Sequence, residues 1–373
     1  MKITSISNRS PIKKPALSII VLLLGSVFYF CAPAGAEAVK QKEGISMDNP
    51  FGVLEFFNWN DSWNSFKYPS SADVERAAAL IRDAGATWVR MDFIWADIEP
   101  SAGTFTFDKY DPIVEILLKR GIKILGVLNY NSASNVLAGL WNHAPDDFKA
   151  FAKYAAALAG HYKGKVSYWE VWNEPDSPTY WQPQDHLKGY CELLKEAYPA
   201  LKSANPDCKV LNGGISNGML SIGYLYENGA QGYFDIMNIH YFTSPLYDNA
   251  IQSVIAYPKL VYKAMVKNGD AGKKIWVTEI GSPGMTDPKS SPNWWAGENP
   301  DEARQAEWVR EVYSGLLGNE NVEKVFWAFF RDCKNHFYNG TDYFGLLRWD
   351  FSKKPSFKAF QQAAREWEKG RGK

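Results

Sequence analysis

Two glutamates stand out because each closes an apolar run that reads as a buried β-strand. Glu174 follows the run 166–172 and Asn173, and Glu279 directly follows the run 274–278. Two carboxyls brought to one place can divide acid–base labour, one staying ionised while the other gives and takes a proton. Comparable positions carry other reactive or binding side chains. Arg90 lies in the run 87–93 with Trp95 just beyond it, and Asn129 and Tyr130 close 123–128. His240 and Tyr241 close 234–239, and Trp327 lies in 322–329. A metal centre needs clustered ligands, and His240 alone does not supply them, so no metal and no cofactor are expected. A phosphate site needs glycines and basic residues, whereas Gly281 and Gly284 flank Pro283 close to tryptophans. A strand-borne catalytic lysine is also disfavoured, because Lys123, Lys209, Lys274 and Lys324 lie near strand starts or on the wrong edge. Carboxyls surrounded by aromatic rings point to sugar chemistry.

Those positions depend on the elements that carry them. Strand-like runs at 51–57, 87–93, 123–128, 166–172, 209–213, 234–239, 274–278 and 322–329 alternate with helix-period segments. Val74, Ala77, Ala78 and Ile81 recur at helical spacing, with Ser70 and Asp73 before them and Gly85 after them. Phe148, Phe151, Ala152, Ala155, Ala159 and Tyr162 form a second stripe before Gly164. Ile113, Ile116 and Leu117 form a third, ending at Gly121, and a last helix is expected at about 356–368. Eight strand–helix units without a glycine-rich first turn predict an α/β chain folded as one (β/α)₈ barrel rather than an open nucleotide-binding sheet. Chemistry then belongs at the C-terminal ends of the strands, where the residues above fall. Segments 248–262 and 283–299 are expected to be long loops shaping a cleft.

At these residues a family resemblance enters. Tyr168-Trp169-Glu170-Val171-Trp172-Asn173-Glu174-Pro175 resembles the fourth-strand signature of clan A glycoside hydrolases, and Val277-Thr278-Glu279-Ile280-Gly281 resembles their nucleophile segment. Within the clan the chain is most similar to glycoside hydrolase family 39, with family 5 next. The resemblance implies a retaining β-glycosidase with Glu174 as acid/base and Glu279 as nucleophile. It also implies carboxyls roughly 5–5.5 Å apart. At an effective dielectric of about 20, charges ~5 Å apart repel by ~3 kcal/mol, about two pKa units, enough to lift one glutamate to between ~6 and ~7. Asn173 resembles the clan's asparagine that holds the sugar 2-hydroxyl, with a strand-end cap as the alternative. Arg90 resembles the arginine that keeps the nucleophile ionised, with a structural ion pair to Glu170 nearly as well supported. His240 and Tyr241 resemble a pair beside the nucleophile. There is one departure: many relatives place the tyrosine two residues after the histidine, and here that residue is Phe242. Trp327 resembles the tryptophan beneath the bound sugar, and Trp95 and Tyr130 complete the expected substrate contacts.

The rest of the chain sets bounds. Lys2, Arg9, Lys13 and Lys14 precede an uncharged run at 16–30 and the small residues Ala34-Gly35-Ala36, the pattern of a signal peptide over 1–36. The run is short of the ~20 residues of a bilayer span, so a secreted or periplasmic catalytic domain, 37–373, without stable membrane insertion is expected. Removing those four of the 41 basic side chains leaves 37 against 41 acidic, a net charge of −4, which argues against nucleic acid as a partner. Cys191, Cys208 and Cys333 then remain, either as buried thiols or with Cys191 paired to Cys208. The aromatic content, 15% of the chain, decides nothing by number. By place, Trp59, Trp63, Trp95, Trp141, Trp181, Trp294, Trp295 and Trp327 fall at or past strand ends, whereas Trp88, Trp169, Trp276, Trp308 and Trp367 read as core. So many tryptophans near one mouth lean toward endo action on a β-linked polysaccharide or oligosaccharide by a monomer. A non-catalytic glycan-binding barrel and a transglycosylase are the competing readings.

Overall fold

Each apolar run becomes a strand of one sheet. The computed structural model describes residues 48–132 and 140–371; the signal-peptide expectation over 1–36 lies outside them. The strands are β1 (Phe51–Leu54), β2 (Trp88–Ile94), β3 (Lys123–Asn129), β4 (Tyr168–Val171), β5 (Lys209–Asn212), β6 (Met237–His240), β7 (Ile275–Ile280) and β8 (Val322–Ala328). All pair in parallel, in the order β5-β4-β3-β2-β1-β8-β7-β6. The seam between β5 and β6 is closed differently, by isolated bridges at Leu211↔Ile236 and Ile215↔Ile239. Asn212 and Asn238 reinforce it. Asn238 donates its backbone N–H to Asn212 Oδ1 at 2.7 Å and its Nδ2 to Asn212 O at 3.1 Å, and Asn212 Nδ2 donates to Asn238 O at 2.8 Å. The result is the expected (β/α)₈ barrel in one domain.

Side-chain alternation along the strands layers the interior. Trp88, Leu125, Leu211, Ile236, Trp276 and Phe326 pack together as the floor of the barrel. Two residues further along β2 and β4, Arg90 and Glu170 form the next layer, both buried. Alternation then breaks where chemistry is expected. The pairing of β6 with β7 shifts register between Ile239 and His240, and that of β7 with β8 shifts between Val277 and Ile280, so His240 and Glu279 sit at irregularities that re-aim side chains.

The helices α1 (Ser71–Ala84), α2 (Trp95–Ile98), α3 (Asp111–Lys119), α4 (Phe148–His161), α5 (Lys188–Ala204), α6 (Met219–Glu227), α7 (Ala250–Lys267), α8 (Glu302–Leu317) and α9 (Pro355–Arg371) surround the strands. Ser70 caps α1 by accepting from Asp73 N, and Gly85 ends it at a left-handed φ of 93°. The expected loop at 248–262 is corrected: most of it is α7. Val254, Tyr257, Pro258, Val261 and Met265 bury one face of that helix. The internal proline, ordinarily a helix breaker, masked the pattern in the sequence. Cys191, Cys208 and Cys333 are buried free thiols, so the Cys191–Cys208 pairing is not formed. Among the described residues no helix is long and apolar enough to cross a membrane.

Candidate active site

Glu174 leaves β4 through an unusual backbone. Trp172 and Glu174 both adopt left-handed conformations, φ 69° and 43°, so the chain coils off the strand around Asn173. The end of β5 must approach closely for this to fit. A Cβ on Gly213 would lie 2.5 Å from Val171 O, and one on Gly214 would lie 2.2 Å from His240 Nε2. Gly213 and Gly214 therefore belong to the site's scaffold. Sequence reading did not single them out, because a close approach between distant strands leaves no local signal.

The two glutamates meet at this mouth. One oxygen of each carboxyl and a ring nitrogen of His240 all lie within 4.8 Å of one another. Glu174 Oε1 lies 2.8 Å from His240 Nδ1, and Glu279 Oε1 accepts from Arg90 Nη1 at 2.6 Å. The same guanidinium grips Glu170 in a fork, Nε to Oε2 at 2.7 Å and Nη2 to Oε1 at 2.8 Å, and Nη2 also donates to Asn173 Oδ1 at 2.8 Å. Arg90 thus forms a structural ion pair with Glu170 and bonds Glu279 directly. Asn173 uses its oxygen on Arg90, which leaves its amide N–H groups to point elsewhere. Three potential ligand atoms stand close enough for a cation, yet Arg90 already supplies a fixed positive charge against one of them.

Charge is divided unequally between the pair. Burial, and after it the charge of Asp176, pushes the Glu174 carboxyl up to about 8, against the pull of Arg90. Asp176 is held two residues downstream by the backbone N–H groups of Ser216 and Asn217, at 3.1 and 2.7 Å. Burial also raises Glu279, and the Arg90 guanidinium opposes it. The two-unit lift expected from repulsion between the carboxyls is therefore corrected: desolvation is the larger cause, and Asp176 is a contributor the sequence reading missed. Burial lowers His240, which keeps its ring neutral. The surroundings thus favour the proton on Glu174, while the bonded Arg90 guanidinium favours the charged form of Glu279.

Three expected substrate contacts are placed elsewhere. His240 is fully buried and commits both ring nitrogens, Nδ1 to Glu174 and Nε2 to Thr278 Oγ1 at 2.9 Å, so it lies beneath the carboxyls rather than against a ligand. Trp95 is sealed between Phe151 and Tyr154 and donates Nε1 to Glu99. Trp327 is also fully buried. On β8 its neighbour Phe326 points into the barrel floor, so Trp327 points outward, with Nε1 donating to Phe344 O at 2.9 Å. Counting toward the strand end found the right level but the wrong parity. The ring cluster over β1 and β8 instead includes Trp59, Trp294, Phe329 and Phe344, with Phe56, Phe242 and Phe337 packed against it.

Tyr130 keeps a place near the cleft, packed edge-on against Trp141 and parallel to Tyr180, a ring the sequence reading did not select. Tyr241 donates its backbone N–H to Glu279 O at 3.2 Å and packs its ring on Tyr257. Among the described residues no tyrosine hydroxyl bonds the Glu279 carboxyl, and Phe242 packs against Trp295 and Phe344. Of the tryptophans expected at the mouth, Trp63, Trp141 and Trp295 are exposed, at 62%, 50% and 59%. Trp59, Trp181 and Trp294 are buried.

Eight parallel strands bring two unequal carboxyls to their C-terminal mouth, the place where barrels carry their reactive groups. The chain belongs to the glycosyl hydrolase catalytic core family, whose model matches residues 127–346, more than half of its length. A model described as beta-galactosidase matches residues 62–134. A beta-1,4-xylanase of Dictyoglomus thermophilum is 30% identical over 124 residues, which span 31% of this chain and 34% of that protein. The chain thus aligns with about a third of that relative's length. A family 39 glycoside hydrolase from Bacteroides cellulosilyticus WH2 superposes with TM-score 0.69 and 26% identity, covering 86% of this chain and 64% of that one. A family 5 enzyme from Streptomyces cattleya, solved with GlcNAc, shares the fold with TM-score 0.67 and 15% identity, covering 86% and 81%. The resemblance to clan A glycoside hydrolases is borne out by the family match, with family 39 and family 5 enzymes among the structural neighbours.

Proposed function

We propose that the protein is a retaining β-glycosidase that cleaves within β-linked chains outside the cytoplasm. The observation that carries the reading is the pairing of Glu174, on a neutral imidazole, with Glu279, on a guanidinium, with their oxygens inside 4.8 Å. Retaining enzymes hold their carboxyls roughly 5–5.5 Å apart, whereas inverting enzymes leave about 6.5–9.5 Å for a water. In the first step Glu279, through the oxygen that Arg90 leaves open, attacks the anomeric carbon. The glycosidic bond breaks, and Glu174 gives its proton to the departing oxygen. In the second step Glu174 takes a proton from water, the water oxygen attacks the same carbon, and the ester to Glu279 breaks. Asn173, whose oxygen is taken by Arg90, donates its amide N–H to the sugar 2-hydroxyl.

Exposed Trp63, Trp141 and Trp295 stand on different loops of the mouth and support several subsites, hence endo action. The xylanase relative makes a β-1,4-linked xylan the first substrate to try. The basic and apolar start of the chain supports export. The test is incubation with β-linked nitrophenyl glycosides and with xylan, mannan and β-glucan, following product anomers by proton NMR. Initial release of β-anomers and short oligosaccharides is expected. Binding of one polysaccharide without turnover of any substrate would favour a glycan-binding barrel. Transfer to added acceptor sugars in preference to water would favour a transglycosylase.

A further inference from the structure

We infer that Asn238 and Thr278 fix the tautomer of His240, and through it hold Glu174 in its protonated, acid form in the resting enzyme. Hydrogen-bond polarity fixes the relay, starting at the β5–β6 seam. Asn238 Nδ2 faces the carbonyl oxygen of Asn212 at 3.1 Å, and a carbonyl only accepts, so the amide nitrogen must lie there and Asn238 Oδ1 must face the other way. Oδ1 stands 2.6 Å from Thr278 Oγ1, and since Oδ1 only accepts, the threonine hydroxyl spends its single proton on it. The remaining contact of Thr278 Oγ1, with His240 Nε2 at 2.9 Å, must then be one in which the ring donates. His240 is therefore protonated at Nε2.

The ring is fully buried, and burial, with Arg90, outweighs the opposing pull of Glu279, Glu170 and Asp176, so a second proton on it is disfavoured. Its Nδ1 thus carries a lone pair, 2.8 Å from Glu174 Oε1. A carboxylate oxygen facing that lone pair would be two acceptors in contact, and a proton on Glu174 turns the contact into a hydrogen bond. A half-turn of the carboxyl about Cγ–Cδ carries this proton to the cleft side when a glycosidic oxygen arrives to compete for it. The reverse tautomer is opposed because the Thr278 hydroxyl would have to turn to His240, leaving two oxygens with no proton between them at 2.6 Å. Gly214 keeps the arrangement tight, since any side chain there would strike the His240 ring.

The charged groups around the pair are Arg90 from β2, Glu170 and Asp176 from β4 and the turn after it, and Glu279 from β7. None of them reaches Thr278 in a described bond, so substitution of Thr278 perturbs the relay and leaves their direct contacts in place. Asn238, Thr278 and His240 are thus positioning residues; none is required to touch the sugar.

This inference rests on the glycosidase reading for its purpose, and its test does not need turnover. The probe is the full chain labelled with ¹⁵N in its five histidine rings, with His240 identified by the signals lost in His240→Gln. Near neutral pH the wild type is expected to show His240 protonated at Nε2 and bare at Nδ1. Thr278→Val, nearly equal in shape but without the hydroxyl, should lose the bare-Nδ1 signal in most molecules as the ring turns its proton toward an ionised Glu174. Thr278→Ser should restore the wild-type pattern. A wild-type His240 protonated at Nδ1 would overturn the inference. So would a folded Thr278→Val, checked by its thermal midpoint, with unchanged ring signals. A correct tautomer in a protein that hydrolyses nothing would leave this relay standing and remove the enzymatic reading alone.

Discussion

Arg90 and Glu279 come from strands β2 and β7, which are not neighbours in the sheet, and meet through an Nη1–Oε1 bond of 2.6 Å. Because the same guanidinium grips the fully buried Glu170, its position is fixed before any substrate arrives. One cation thus ties the barrel's structural charge to its reactive one. Replacing Arg90 by Met leaves two carboxyls without their partner, Glu170 fully buried and Glu279 mostly so. A loss of ~3–5 kcal/mol in stability is expected, measurable by urea denaturation, where removal of one partner of a buried pair has that scale. A loss under ~1 kcal/mol would mean the pair is not maintained in solution.

Glu279→Ala should lower turnover by ~10⁴-fold or more, the scale seen when a nucleophile is removed. Added azide or formate should restore activity and give a product of inverted configuration, read by NMR. Unchanged turnover in this variant would remove Glu279 from the role of nucleophile.

Glu174→Gln should slow natural substrates by ~10²–10⁴-fold and spare those with good leaving groups, which need no proton. The pH profile gives a sharper check. With the Glu174 carboxyl raised to about 8, its acid form persists through neutrality, so kcat/KM should fall as pH rises through about 8. That alkaline limb should be absent from the glutamine variant when an activated substrate is used.

The same carboxyl links stability to pH. Its folded pKa lies above the unfolded one, so between about 4.5 and 8 the folded state binds more protons and stability declines as pH rises. Glu174→Gln removes that decline. The variant should exceed the wild type by about 4 kcal/mol near pH 8, and the gap should close below pH 4.5, where both states are protonated. An equal gap at both pH values would show that Glu174 does not titrate as described.

The tryptophans should separate into two classes. Trp327→Ala, in a fully buried position, is expected to destabilise the fold by ~3–5 kcal/mol. Trp141→Ala, half exposed beside Tyr130 and Tyr180, should leave stability within ~1 kcal/mol while raising KM about tenfold for long oligosaccharides and not for nitrophenyl glycosides. Equal effects on short and long substrates would remove Trp141 from any distal subsite.

The sequence by itself determined the eight strands, their parallel order and the level at which Glu174 and Glu279 emerge. Apolar runs, capped helical stripes and strand-end polar residues are local patterns, and a barrel converts strand ends into one mouth. Ser70, Gly85 and the run ending at Thr278 could all be read in place. Only the tertiary structure decided which way side chains point and which distant groups share charge. Trp327 differs from a cleft residue by one step of alternation, and His240 and Glu279 sit at register shifts that no spacing announces. Arg90, Glu170, Asp176 and Glu174 come from segments far apart or in adjacent turns. The pKa shifts of Arg90 and Glu174 follow from burial and from distances of a few ångströms, and chain order carries neither.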